Sequence, residues 1–229
     1  MSDLVTYERT DRISTITMDD GKVNVFSVAM LRALHEAFDQ AELDGTVVLL
    51  TGRPGYFSAG FDLNTIRAEP DNLVPMLTLG ATLAERILSF PTPVAVAVAG
   101  HAFPAGAFLL MAADTRVGAD GPYKLGLNEV RIGLTLPWFA IVLARYRLGP
   151  SQCDHAMVTG EMFDPHSARE AGLLDRVVPF DELPAAGWAA AEDLTTIDAR
   201  AHKYTKLRAR QKVLEDLRWA IETEFPTES

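Results

Sequence analysis

The chain has 229 residues, 48% hydrophobic and 23% charged, enough to bury one substantial core. A net charge of −10 and a pI near 4.9 leave it without the dense basic face that phosphate backbones require, so nucleic acid is not an expected partner; a small polyanion fits only where a few Lys and Arg gather locally. The single cysteine, Cys153, has no intrachain partner and points to a reducing, cytoplasmic setting, and the first residues show no secretory pattern.

In chain order, "LVTYER" and "ISTITMD" read as two short strands around a polar turn at 10–12. After the loop "DGKVNVF", Ser27 is a candidate N-cap. The helix it opens carries an apolar stripe of Met30, Leu34, Phe38 and Ala41, and Gly45 ends it. "TVVLLTG" is a buried strand followed by the glycine-rich "RPGYFSAGFDL", and a second helix is expected over 71–88. Residues 93–113, "PVAVAVAGHAFPAGAFLLMAA", have the length of a membrane span, yet Gly100, His101, Pro104 and Gly106 interrupt them. They read instead as a buried strand, a turn at 100–104 and a buried helix from Ala105, so no membrane association is expected. "DTRVGAD" and "DRVVP" are further short strands, while "LPWFAIVLARYRLG", "SQCDHAMVTG", "DPHSAREAGLL" and residues 181–224 are mainly helical. Strands and helices that alternate in this way imply an α/β fold with parallel pairing. The expected layout is a core over 1–180 and a helical extension over 181–229 that packs on the core or on a neighbouring subunit.

Two segments share a chemical logic. In "YFSAGFDL" and "HAFPAGAFLLM", small residues in a turn leaving a buried strand let backbone N–H groups approach a ligand closely. In the second, the first amides of a helix have no intrahelical acceptor and are free to receive negative charge. The same residues also serve tight packing without any ligand. A third segment, "GLNEVRIGLTLPWF", holds one carboxylate, Glu129, among apolar neighbours Leu127, Ile132 and Leu134. Walled in, it would have a raised pKa and become a usable proton acceptor. If the segment is extended, Arg131 lies on the same side and an ordinary ion pair is the alternative.

"VVLLTGRPGYFSAGFDL", "PVAVAVAGHAFPAGAFLLMAADTRV", "LNEVRIGLTLPW" and "AREAGLLDRVV", in this order, resemble the crotonase family, the enoyl-CoA hydratase and isomerase superfamily. The resemblance runs from residue 1 to about 179. It implies a crotonase-like spiral of ββα units, acyl-CoA thioester substrates with no separate cofactor, and assembly as homotrimers or hexamers. It implies an oxyanion hole from the amides of Phe61 and Ala105, with Glu129 catalytic. Ala59, Gly60, Asp62, Leu63 and Phe108 come with the substrate site. The family's hydratases use two glutamates, and the earlier one falls on Phe108 here, which cannot move a proton. The pattern is therefore most similar to the Δ3,Δ2-enoyl-CoA isomerase branch, with hydration, thioester hydrolysis or silent acyl-CoA binding as alternatives and Asp62 or a water as the candidate replacement acid. A lysine often found after "AGFDL" is Asn64 here. Lys22, Arg53, Lys203, Lys206, Arg208 and Arg210 are the candidates for the CoA phosphates, and Val25, Phe57 and Leu77 for an acyl channel. His101 reads as structural, and no His or Cys spacing suggests a metal.

Overall fold

The computed structural model describes residues 3–68 and 70–225. Strands β1 (Val5–Thr10) and β2 (Ile13–Met18) pair antiparallel around Asp11 at φ 51, a conformation that a short polar side chain tolerates. Strand β3 (Val25–Phe26) leads into helix α1 (Val28–Asp44). Ser27 caps its start by accepting from the Met30 N–H, Gly45 closes its end in the left-handed conformation, and the predicted stripe from Met30 to Ala41 is buried.

The chain then repeats a unit. Strands β4 (Val47–Thr51), β5 (Gly55–Ser58) and β6 (Gly60–Phe61) are followed by helices α2 (Leu63–Ala68) and α3 (Pro70–Ser89). Strands β7 (Val94–Val98) and β8 (Gly100–Ala102) are followed by α4 (Ala105–Ala112). Strands β9 (Thr115–Ala119) and β10 (Leu125–Gly126) are followed by a 3-10 turn, Glu129–Ile132. Beyond these come α5 (Trp138–Arg147), α6 (Pro150–Thr159), β11 (Met162–Phe163), α7 (Pro165–Ala171) and β12 (Arg176–Val178). The first strand of each unit joins one six-stranded sheet, ordered β1-β2-β4-β7-β9-β12, in which every pairing after β1-β2 is parallel. The second strands stack in a four-stranded sheet, β11-β10-β8-β5, and β3 pairs with β6. This is the crotonase-like spiral.

Both faces of the large sheet are covered, which explains strands that are apolar at every position. Val48, Leu50, Val94 and Val96 point into the main core, while Val47, Leu49, Ala95 and Ala97 point the other way. That second face is closed by α8 (Leu183–Leu194), which packs on β4, β7 and β9. Helices α9 (Ala199–Ala209) and α10 (Gln211–Glu224) complete the chain, with α10 lying against α5 and α3. Residues 93–113 form β7, β8 and α4, and no helix among the described residues is long and apolar enough to cross a membrane.

Candidate active site

Two turns meet at the carboxyl ends of β5 and β8. Gly60 sits at φ +91, and a Cβ there would lie 2.5 Å from Pro104 Cδ and 2.7 Å from the Phe103 carbonyl. Only glycine gives this close approach without strain. Ser58 joins the turns from below: its Oγ accepts from the Gly60 N–H at 3.1 Å, and its carbonyl accepts from the Phe103 N–H at 3.0 Å. Asn24 anchors Ser58 in turn, accepting from Ser58 Oγ at 2.6 Å with its carbonyl while its side-chain amide donates to the carbonyls of Met18, Tyr56 and Phe57. Asn24 is fully buried at φ 54, a conformation asparagine tolerates.

On one side of this junction the Asp62 N–H donates to the Phe26 carbonyl, so the preceding N–H, that of Phe61, faces the opposite edge of β6. On the other side Ala105 is the first residue of α4, ahead of the Ala107 N–H that bonds the Pro104 carbonyl. Its own amide precedes any intrahelical acceptor.

Beside the two turns lies a cavity of about 290 Å³ lined by Ala59, Phe61, Pro104, Phe108, Glu129 and Leu134, with Leu77, Ile132 and Glu224 also on its wall. Glu129 is 4% exposed, and neither carboxylate oxygen has a hydrogen-bond partner among the described residues. Burial pushes its pKa from 4.5 up to about 7; its own backbone N–H pulls the other way without reaching hydrogen-bond geometry. The ion pair with Arg131 does not form. The segment is a 3-10 turn rather than an extended stretch, so residues two apart diverge, and Arg131 donates from Nε to the Gly160 carbonyl at 2.7 Å. Glu224 faces the cavity too, but it is tied by the Trp138 N–H, which donates to its Oε2 at 2.5 Å.

The predicted residues separate accordingly. Ala59, Phe61, Leu63, Phe108 and Glu129 share the cavity wall, and Gly60 and Ala105 lie in the turns behind it. Phe108 is buried, edge-on to Phe139 at 5.3 Å between ring centres. Asp62 instead lies off the cavity lining and caps α2, its carboxylate accepting from the Asn64 N–H and the Thr65 hydroxyl. Lys22 is exposed on the β2–β3 loop, outside the cavity lining, and its carbonyl takes a bond from Arg53. Leu77 lines the cavity, whereas Phe57 is buried in the core and Val25 lies off the lining. Lys206 and Arg210 are corrected: both are buried and paired to Asp114 at 2.7 Å, which leaves neither for a phosphate. His101 is structural, its Nδ1 accepting from the Lys124 N–H. Among the described residues no group of His, Cys, Asp or Glu could hold a metal ion. Asn24, Ser58 and Glu224 went unread in the sequence. The first two lack any pattern of their own, and Glu224 reaches the cavity only through the packing of α10 on α5.

Comparison with known proteins fits this geometry. The family described as enoyl-CoA hydratase/isomerase matches residues 8–224. A solved enoyl-CoA hydratase/isomerase family protein from Pseudomonas syringae is 45% identical and superposes with a TM-score of 0.94 over 96% of each chain. A putative enoyl-CoA hydratase from Thermus thermophilus is 31% identical over 82% of this chain and 76% of its own length. The human mitochondrial enoyl-CoA delta isomerase 1 is 26% identical over 87% of this chain and 68% of its own. By its matched family, its spiral of strands and its paired glycine turns, the chain belongs to the enoyl-CoA hydratase/isomerase family, the crotonase superfamily.

Proposed function

We propose that this protein shifts the double bond of an enoyl-CoA from the 3,4 to the 2,3 position. Glu129 removes a proton from C2, and the electron pair of that C–H bond spreads as a dienolate onto the thioester oxygen. The Phe61 and Ala105 amides receive that oxygen. Glu129 then returns the proton to C4, so that C2=C3 forms and the carbonyl is restored with no atom gained or lost. The observation that carries the reading is the pairing of one unbonded, buried carboxylate with Phe108 on the same wall. A poorly solvated carboxylate is a stronger base, and each oxyanion donor typically contributes about 2.7–4 kcal/mol. Hydration would call for a second acid to orient water, and that position holds a phenyl ring instead.

The test is incubation of purified protein with a 3-enoyl-CoA and, separately, with crotonyl-CoA. Conversion of the first without hydration of the second is expected, and Glu129→Gln should lower turnover by about 10²–10⁴-fold. Full activity in a folded Glu129→Gln protein would end the proposal. Exposed Val130 and Val158 flank one groove beside the Glu129 turn and support self-association, read as a homotrimer or hexamer, which a solution mass measurement checks.

A further inference from the structure

The carboxyl end of α4 is capped by three arginines from three distant parts of the chain. Arg116 donates to the carbonyls of Leu110 and Ala113, Arg147 to those of Met111 and Ala113, and Arg210 to that of Ala112. Every carbonyl from Leu110 to Ala113 therefore receives a guanidinium N–H. Arg116 and Arg210 each also pair with a carboxylate, Asp175 and Asp114. Arg147 has no ion pair with a carboxylate among the described residues, and burial, with Arg116 and Arg210 nearby, lowers its pKa to about 10. A cation held in such a place is costly unless something else compensates it, and here the carbonyls at the negative pole of a helix do so together with the Tyr146 ring at 5.0 Å and the nearby Asp175. All eight residues of α4 are buried, so little water screens the field along it.

We propose that Arg116, Arg147 and Arg210 form a cationic cap that offsets the negative pole of α4 and so strengthens the positive pole at Ala105, which makes Arg147 a positioning residue for the thioester oxyanion. The inference rests on the isomerase reading above for its kinetic part, and on thioester binding at the Ala105 amide for its spectroscopic part. A helix of this length spans about 12 Å, and a unit charge at that distance in a protein interior changes a rate by about tenfold.

The test uses Arg147→Met, Arg147→Gln and Arg147→Lys in the full chain. Two readouts serve: turnover of a 3-enoyl-CoA, and the red shift in absorbance of a 2,4-dienoyl-CoA when its carbonyl is polarised on binding. The Met and Gln variants should lose about tenfold in kcat with KM within about twofold and show a smaller red shift, while Lys restores most of both. Gln keeps a hydrogen-bond donor without the charge, so it carries the test should Met fail to fold. Wild-type kcat and full red shift in folded Met or Gln protein, or a Lys variant as impaired as Met, would overturn the cap. A wild-type chain that shifts the dienoyl probe but does not isomerise would remove the proposed reaction and leave the cap judged on the shift. No shift in the wild type would overturn the cap itself.

Discussion

Arg131 turns its guanidinium away from Glu129 and donates to the Gly160 carbonyl, leaving the glutamate two residues before it buried and unpaired. The consequence is a pH dependence of definite sign. The folded pKa of about 7 lies above the ordinary 4.5, so between these values the folded state holds a proton that the unfolded state has released. Stability from this group is complete below pH 4.5 and declines as pH rises toward 7. Relative to Glu129→Gln, the wild type should lose about 2–3 kcal/mol between pH 5 and pH 8, measured by denaturant unfolding of both proteins. Turnover should move oppositely, rising through about pH 7 as the carboxylate forms. Parallel stability profiles for the two proteins would contradict the burial of this charge.

Phe108 shares the cavity wall with that carboxylate and is buried edge-on against Phe139. Replacement by Ala should cost about 3–5 kcal/mol and, by admitting water, move the activity midpoint below that of the wild type. Leu is the milder companion, with a smaller loss of stability and a smaller move. A pH–rate profile for each variant checks the order. An unmoved midpoint in folded Phe108→Ala would mean that solvent exclusion at Glu129 has another source.

Gly60 is the position where the two turns touch. A methyl group at φ +91, directed at Pro104 Cδ and the Phe103 carbonyl, meets both backbone strain and a clash with main chain. Gly60→Ala should displace the adjoining Phe61 amide and lower kcat by about 10²–10³-fold, the cost of one oxyanion donor. Steady-state kinetics with circular dichroism to establish folding checks this, and near-normal kcat would show that the junction does not position the donor.

Helix ends, buried strands and the two glycine turns were legible because each rests on local chemistry: Ser27 and Gly45 bound α1, and Ala105 begins α4 where small residues succeed a β-branched strand. Glu129 was legible as an acid among apolar neighbours, but its pairing was not. Whether Arg131 reaches it depends on a 3-10 turn that carries no periodicity signal over four residues. Lys206 and Arg210 read as candidates for the CoA phosphates because a helical basic cluster is ordinarily solvated and open to an anion, and only the long-range docking of α9 and its C-cap onto Asp114 buries them. The short strands β10 and β11 have two residues each, too few for any alternation to show.

Asp114 makes that docking asymmetric, and the asymmetry is measurable. One carboxylate oxygen accepts from the Val94 N–H and from Lys206 Nζ, and the other pairs with Arg210. Removing Asp114 strands two buried cations and one backbone donor together. Asp114→Ala should therefore cost about 3–5 kcal/mol or more. Lys206→Met leaves Asp114 still bonded by Arg210 and Val94, and it replaces a buried ammonium with an apolar chain of similar length. Its cost should be under about 2 kcal/mol, because the partner is not left bare. Denaturant midpoints for the two single variants and the double variant decide the matter. The double should lie above Asp114→Ala alone in stability, since Lys206→Met then removes one of the two buried cations that the loss of Asp114 strands. Simple additivity of the two losses would show that Lys206 stabilises α9 through packing and that the ion pair contributes nothing to holding the helix on the core.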